Sequence, residues 1–101
     1  MTVVLMSDEG KRIVVNKDSD VRLYSDGTTN ATRGDRLYCH KSRNGNIYYY
    51  VYHWTLWQGE SNQYELLSKT QAIDYLSGKI LSSEEEENIR TYLPEFFEED
   101  A

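Results

Sequence analysis

The chain has 101 residues, a net charge of −6 and 39% hydrophobic residues, and tyrosine alone supplies nine of them. That length makes one domain with one modest core, and no apolar run approaches the ~20 residues of a membrane helix. Cys39 is the single cysteine, which excludes an intrachain disulfide and fits a reducing, cytoplasmic setting.

Residues 3–6 and 11–15 are short apolar runs separated by Ser7-Asp8-Glu9-Gly10, the pattern of a first hairpin. The opening run is too short for the apolar core of a secretory leader, and Asp8 and Glu9 follow it. Residues 21–24 offer a further short strand. Residues 25–35, SDGTTNATRGD, read as a loop, because Asn, Asp, Ser and Thr side chains compete there with ladder hydrogen bonds. Inside it, Asn30-Ala31-Thr32 and Arg33-Gly34-Asp35 match a glycosylation sequon and an adhesion tripeptide, three-letter patterns that arise by chance.

The main hairpin pairs residues 36–41 with residues 47–54 across an Asn44-Gly45 turn. Its second strand lies in residues 46–57, NIYYYVYHWTLW, a run rich in aromatic and β-branched side chains. Alternation divides it into Ile47, Tyr49, Val51 and His53 on one face and Tyr48, Tyr50, Tyr52 and Trp54 on the other. The first set is assigned to the core, since Ile and Val carry no polar atoms. The second is expected to form an exposed aromatic face, available to a second subunit or a partner. Trp57-Gln58-Gly59-Glu60 then breaks the strand, with Trp57 at the sheet edge and Gly59 supplying a positive-φ turn. Residues 63–67 form the next antiparallel strand.

Ser68 with Gln71 makes a capping box, and Ala72, Ile73, Tyr75 and Leu76 follow at helical spacing before Gly78, which predicts a helix over 68–77. A second helix over 83–93 starts with Glu84 to Glu87, which complement the helix dipole, and Pro94 stops it. The expected fold is α+β: a small antiparallel meander of four or five strands with one or two C-terminal helices on one face. This domain spans residues 1–93, and residues 94–101 form an acidic tail carrying Glu95, Phe96, Phe97, Glu98 and Glu99.

From Arg43 to Leu76 the chain resembles a set of small, uncharacterised bacterial and mobile-element proteins. The shared features are the Arg43-Asn44-Gly45 turn, the aromatic strand from Tyr48 to Trp54, the Trp57-Gln58-Gly59-Glu60 step, and a helix led by Ser68 with Ala72 and Leu76 inside. Where those proteins carry Trp-Leu, this chain has Tyr75-Leu76. The resemblance implies a fold and carries no activity with it.

Charge is unevenly spread. Residues 11–43 hold eight basic side chains against four acidic ones, whereas residues 82–101 hold eight acids against Arg90. Two surfaces of opposite sign follow, which either cover each other or face partners. Cys39, His40 and His53 lack the spacing and number of ligands for zinc, so no metal or cofactor is expected. Cys39 with His53 has no third orienting group, Glu60 and Glu65 are unpaired with a base, and no phosphate loop is present, so no enzyme is expected either.

These features point to a non-enzymatic protein–protein interaction module, as in a phage or mobile-element accessory factor inhibiting a host nuclease complex of the anti-CRISPR or anti-restriction type. Tyr48, Tyr50, Tyr52, Trp54, Trp57, Arg43 and the acidic end from Glu95 to Glu99 would carry the contact, since Tyr, Trp and Arg dominate interface hot spots. Homo-oligomerisation would use the same face. The alternative is a single-stranded nucleic-acid-binding module, with bases stacked on the aromatic strand and flanking Arg and Lys on the phosphates, against the repulsion of the acidic end.

Overall fold

The computed structural model describes residues 2–26 and 31–98. Its strands are β1 (Val3–Met6), β2 (Arg12–Val15), β3 (Val21–Ser25), β4 (Arg33–Lys41), β5 (Ile47–Thr55) and β6 (Gln63–Leu67). Two helices follow, α1 (Lys69–Leu76) and α2 (Ser83–Tyr92), then a 3-10 turn at Pro94–Phe97. β3-β4-β5-β6 is an antiparallel meander, and β1 and β2 pair only with each other as a two-stranded ribbon. The class is α+β, as the sequence predicts.

β4 and β5 pair along their whole length, from Arg33↔Thr55 to Lys41↔Ile47. Strand β4 therefore starts at Arg33, not at residue 36, because Arg33, Gly34 and Asp35 find ladder partners in Thr55, Trp54 and His53. The Arg33-Gly34-Asp35 tripeptide is thus part of a strand and not a loop tip. Gly34 is needed where it sits: a Cβ there would lie 2.6 Å from the Asp26 carbonyl oxygen and from the Trp54 ring.

Each face of the sheet buries a different cluster. Leu23, Leu37, Cys39, Tyr49 and Val51 meet Ala72 and Leu76 of α1 and Ile89 and Leu93 at the end of α2. On the opposite face, Tyr38 and Tyr50 meet Ile13 and Val15 of the ribbon, with Val3, Leu5, Tyr48, Tyr52, Tyr64 and Leu66 around them. The domain is three layers deep: ribbon, sheet, helices.

That second layer overturns the expectation of an open aromatic face. Tyr50 is 0% exposed, and Tyr48, Tyr52 and Trp54 are half-buried. The register Val3↔Val15 and Leu5↔Ile13 puts four apolar side chains on the ribbon's inner side, and burying them against the tyrosines removes both surfaces from water. Conversely Ile47, assigned to the core, begins its strand and is 39% exposed.

The helices form where their caps say they should. Ser68 and Gln71 exchange both capping-box hydrogen bonds, at 3.1 and 2.9 Å. Ser82 and Glu85 repeat the device at 3.2 and 2.9 Å. The Glu85 carboxylate also accepts from the Ser25 amide at 2.9 Å, and Asn88 donates to the Arg22 carbonyl at 3.2 Å, so α2 is tied to β3. Pro94 ends α2 but does not release the chain as a tail. The 3-10 turn folds Phe96 and Phe97 back onto the helix-side core, Arg90 lies 4.2 Å over the Phe97 ring, and Lys69 pairs with Glu95 at 3.2 Å. Of the expected tail, residues 99–101, Glu99 among them, lie outside the described residues.

Candidate functional site

Large apolar side chains in water become a candidate contact where they adjoin one another and their surroundings hold them in place. The seven residues between β5 and β6 meet that condition. Leu56 is 74% exposed and Trp57 56%, side by side at the end of the aromatic strand. Around them the chain is held at every step. The Leu56 amide donates to the Thr32 carbonyl at 2.8 Å, which extends the β4–β5 ladder by one rung. The Trp57 amide donates to the Thr55 hydroxyl at 3.1 Å, and its indole Nε1–H donates to the Thr32 hydroxyl at 3.0 Å. The Glu60 amide closes a turn onto the Trp57 carbonyl at 3.2 Å, and Gly59 has the φ of +87° that a type II turn requires at its third residue.

Arg33 and Glu60 brace this turn from outside. The Arg33 Nε and Nη2 donate to both Glu60 oxygens at 2.8–3.1 Å, and the Thr55 hydroxyl donates to Glu60 Oε1 at 2.9 Å. The guanidinium carbon also stands 6.0 Å over the Trp57 ring. Asn62 closes the far side, accepting from the Thr55 amide at 2.9 Å and donating to the Tyr52 hydroxyl at 2.8 Å. An exposed ion pair is worth only about 0–1 kcal/mol in stability. Its effect here is positional, since a tryptophan held in one orientation loses little freedom when a partner covers it.

The other residues singled out by sequence do not converge on this loop. Arg43 sits in the β4–β5 turn at the opposite end of the sheet. Tyr50 is buried under the ribbon, Tyr52 is half-buried at its rim, Tyr48 is half-buried beside it with one side on the groove between β2 and the β4–β5 turn, and Trp54 is half-buried over Gly34. Glu95, Phe96 and Phe97 are half-buried against the helical layer, and Glu98 is exposed beyond them. Among the described residues that the sequence singles out, Trp57 alone combines exposure with a built support. Sequence reasoning singled out Trp57 and Gly59, and met Glu60 and Arg33 only as a carboxylate without a base and as part of a tripeptide; it connected neither of them, nor Thr32, with Trp57. The alternation of charge across Arg33 and Glu60 becomes a signal only once Arg33 is known to begin a strand facing Thr55.

Two histidines have carboxylate partners. His53 Nδ1 lies 2.7 Å from Asp35 Oδ1 and its Nε2 3.4 Å from Glu65 Oε2. Burial acts to lower the His53 pKa, but the two hydrogen bonds and carboxylate charges prevail and raise it. On the ribbon side, His40 Nδ1 lies 2.8 Å from Asp20 Oδ1, while Tyr50 donates to Asp20 Oδ2 at 2.7 Å and the Asn16 amide donates there at 3.0 Å. Burial, then the Asp20 hydrogen bond, pushes the Tyr50 phenol far up.

Cys39 lies in the helix-side core, where burial and then the Asp20 charge push its thiol up to about 12. It stands four strand positions from Asp35, the ladder partner of His53, roughly 13 Å at ~3.3 Å per residue. Cys39 and His53 therefore form no nucleophile–base pair.

Comparison with protein-family models, curated proteins and solved structures returns no match. Among the described residues no helix is long and apolar enough to cross a membrane.

Proposed function

We propose that the protein is a non-enzymatic protein–protein interaction module, anchored by Leu56 and Trp57. The observation that carries this reading is the pair of exposed apolar side chains on a loop fixed by Thr32, Arg33, Thr55 and Glu60. Tryptophan and arginine are the residue types that contribute most when an interface closes over them, and here they are adjacent and oriented in advance. The partner's side of the contact would be an apolar pocket with a rim able to meet the Arg33–Glu60 pair. A narrower form of the proposal is an accessory factor that blocks a host nuclease complex. Its support is the concentration of acids in residues 82–101, with Glu84, Glu86 and Glu87 exposed on α2.

Photo-crosslinking tests the anchor. A photoreactive amino acid replaces Gln58, the residue that follows Trp57, or Ile80, on the separate α1–α2 connection, in the source cells. The expected result is a discrete adduct with a different protein from position 58 only, reduced at least about tenfold by Trp57→Ala. Equal adducts from both positions, adducts with the chain's own mass alone, or adducts that survive Trp57→Ala would overturn the proposal.

A further inference from the structure

At the end of the sheet away from Trp57, a groove of about 720 Å³ runs between β2 and the β4–β5 turn. β5 separates the two ends by nine residues, roughly 30 Å. The groove is lined by Lys11, Arg12, Lys41 and Arg43 together with His40 and Tyr48, and no Asp or Glu is among its lining residues. None of the four cations makes an ion pair among the described residues. In a chain of net charge −6, four cations without an ion pair among the described residues stand around one concavity and form a local positive field. Screening over about 8 Å makes nearby charges count for more than the molecule's total, and the charged side chains that line this groove are all basic, with Asp20 behind His40.

The wall behind the cations is fixed. The Asp20 side chain is 8% exposed and accepts from Tyr50 and the Asn16 amide, so its remaining oxygen holds His40 by Nδ1. That contact sets the ring's orientation and leaves Nε2 without a partner among the described residues, on the ring edge away from Asp20. Tyr48 is the ladder partner of His40 and shares its face of the sheet, so a ring stands beside the imidazole. Cations around a fixed imidazole and an aromatic ring are what a flexible polyanion with stacking bases requires: charge for the phosphates, π-faces for the bases. A duplex keeps its bases stacked inside and offers none to such a site.

We propose that this groove binds single-stranded nucleic acid, with Lys11, Arg12, Lys41 and Arg43 on the phosphates and Tyr48 and His40 against a base. The site is independent of the Trp57 loop, and either can fail without the other.

Fluorescence anisotropy with a labelled oligothymidylate, titrated against salt, tests it. Lys41 and Arg43 are exposed, so the double variant Lys41→Ala/Arg43→Ala keeps its fold. It should weaken binding at low salt at least about tenfold and reduce the slope of log K against log salt by about 1.4, at ~0.7 per phosphate contact. Tyr48→Ala should weaken binding about fivefold or more with the slope unchanged, the signature of lost stacking. Lys79→Ala/Arg90→Ala removes the same charge from the helical layer and should change neither. No binding by the parent protein at low salt overturns the proposal, as does an equal loss in the control variant. Displacement by inorganic phosphate as effective, per phosphate, as by unlabelled oligonucleotide also overturns it, since the groove would then be a bare anion site.

Discussion

The Tyr38 and Tyr50 rings stack with centroids 5.3 Å apart and planes 15° from parallel, sealed between the sheet and the ribbon. They are ladder partners on adjacent strands, and cross-strand aromatic pairs of this kind stabilise a sheet beyond the area they bury. Their burial decides how the aromatic strand is to be understood, as a core shared by two layers.

Tyr50→Ala should therefore destabilise the fold by about 3–5 kcal/mol, as large-to-small changes at aromatic core positions do. Tyr52→Ala, at the half-buried rim, should cost distinctly less. Tyr50→Phe isolates the hydroxyl: it keeps the ring but removes one donor from the nearly buried Asp20 carboxylate, at about 1–3 kcal/mol. Urea unfolding of the three variants gives the order. A Tyr50→Ala loss no larger than that of Tyr52→Ala would contradict the buried stack.

The two capping boxes make equal and separable claims. Ser68→Ala and Ser82→Ala should each cost about 1 kcal/mol, because each removes the acceptor for an amide at the start of its helix. The double variant should lose close to the sum, since the two caps share no partner. Glu85→Gln should cost more than its place at an exposed helix start suggests, because the same carboxylate accepts from Ser25 across to β3. Denaturant midpoints for the four variants check all three statements.

Gly34 is constrained by space. With the Asp26 carbonyl oxygen and the Trp54 ring each 2.6 Å from where a Cβ would stand, Gly34→Ala forces backbone or indole to move. Overpacking of this kind costs about 1–3 kcal/mol. Gly10 meets nothing within 4 Å but has φ +82°, so Gly10→Ala costs only the left-handed conformation, about 1–2 kcal/mol. A downfield or upfield shift of the Trp54 indole resonance in Gly34→Ala but not in Gly10→Ala would distinguish displacement from backbone strain.

His53 gives stability a pH dependence whose sign is fixed by its partners. Burial alone would lower its pKa, but Asp35 and Glu65 raise it above the ordinary 6.5. A group whose pKa is higher folded than unfolded binds its proton more tightly in the native state. Its contribution is therefore complete below pH 6.5 and fades as pH rises through the folded value above that. His53→Gln should flatten this part of the stability profile relative to the parent. Parallel profiles for the two proteins above pH 6.5 would show that His53 makes no such contribution.

Much of the fold was legible because each element carries a local signal. Ser68 with Gln71, Pro94, and the Asn44-Gly45 turn are decided by neighbours within four residues. What lies across from a face is not local. Alternation says that Tyr48, Tyr50 and Tyr52 share a side, but nothing in residues 46–57 says that Ile13 and Val15 cover them. Pro94 ends a helix whether the chain then leaves or turns back, and Phe96 and Phe97 turn back because two phenyl rings gain more on the core than in water. The candidate site was half legible: Trp57 and Gly59 announce themselves, whereas Thr32, Arg33 and Glu60 matter only through contacts that span 25 to 27 residues of sequence.

That support gives the last prediction. If Trp57 is positioned by Thr32 and by the Arg33–Glu60 fork, weakening either should loosen the ring while leaving the domain intact. Thr32→Val removes the acceptor for the indole Nε1–H. Glu60→Ala removes the fork, the Thr55 contact and the brace on Arg33 together. These groups are solvent-exposed, so the cost in global stability should stay within about 1 kcal/mol. The local effect should be larger. NMR relaxation of the Trp57 indole should give an order parameter near ~0.85 in the parent protein and below ~0.6 in Glu60→Ala, with faster indole exchange in both variants. Trp54, half-buried over Gly34, should be unchanged and serves as the internal reference. An equally mobile Trp57 in parent and variants would mean that its surroundings do not hold it, and the loop would lose its standing as a prearranged contact.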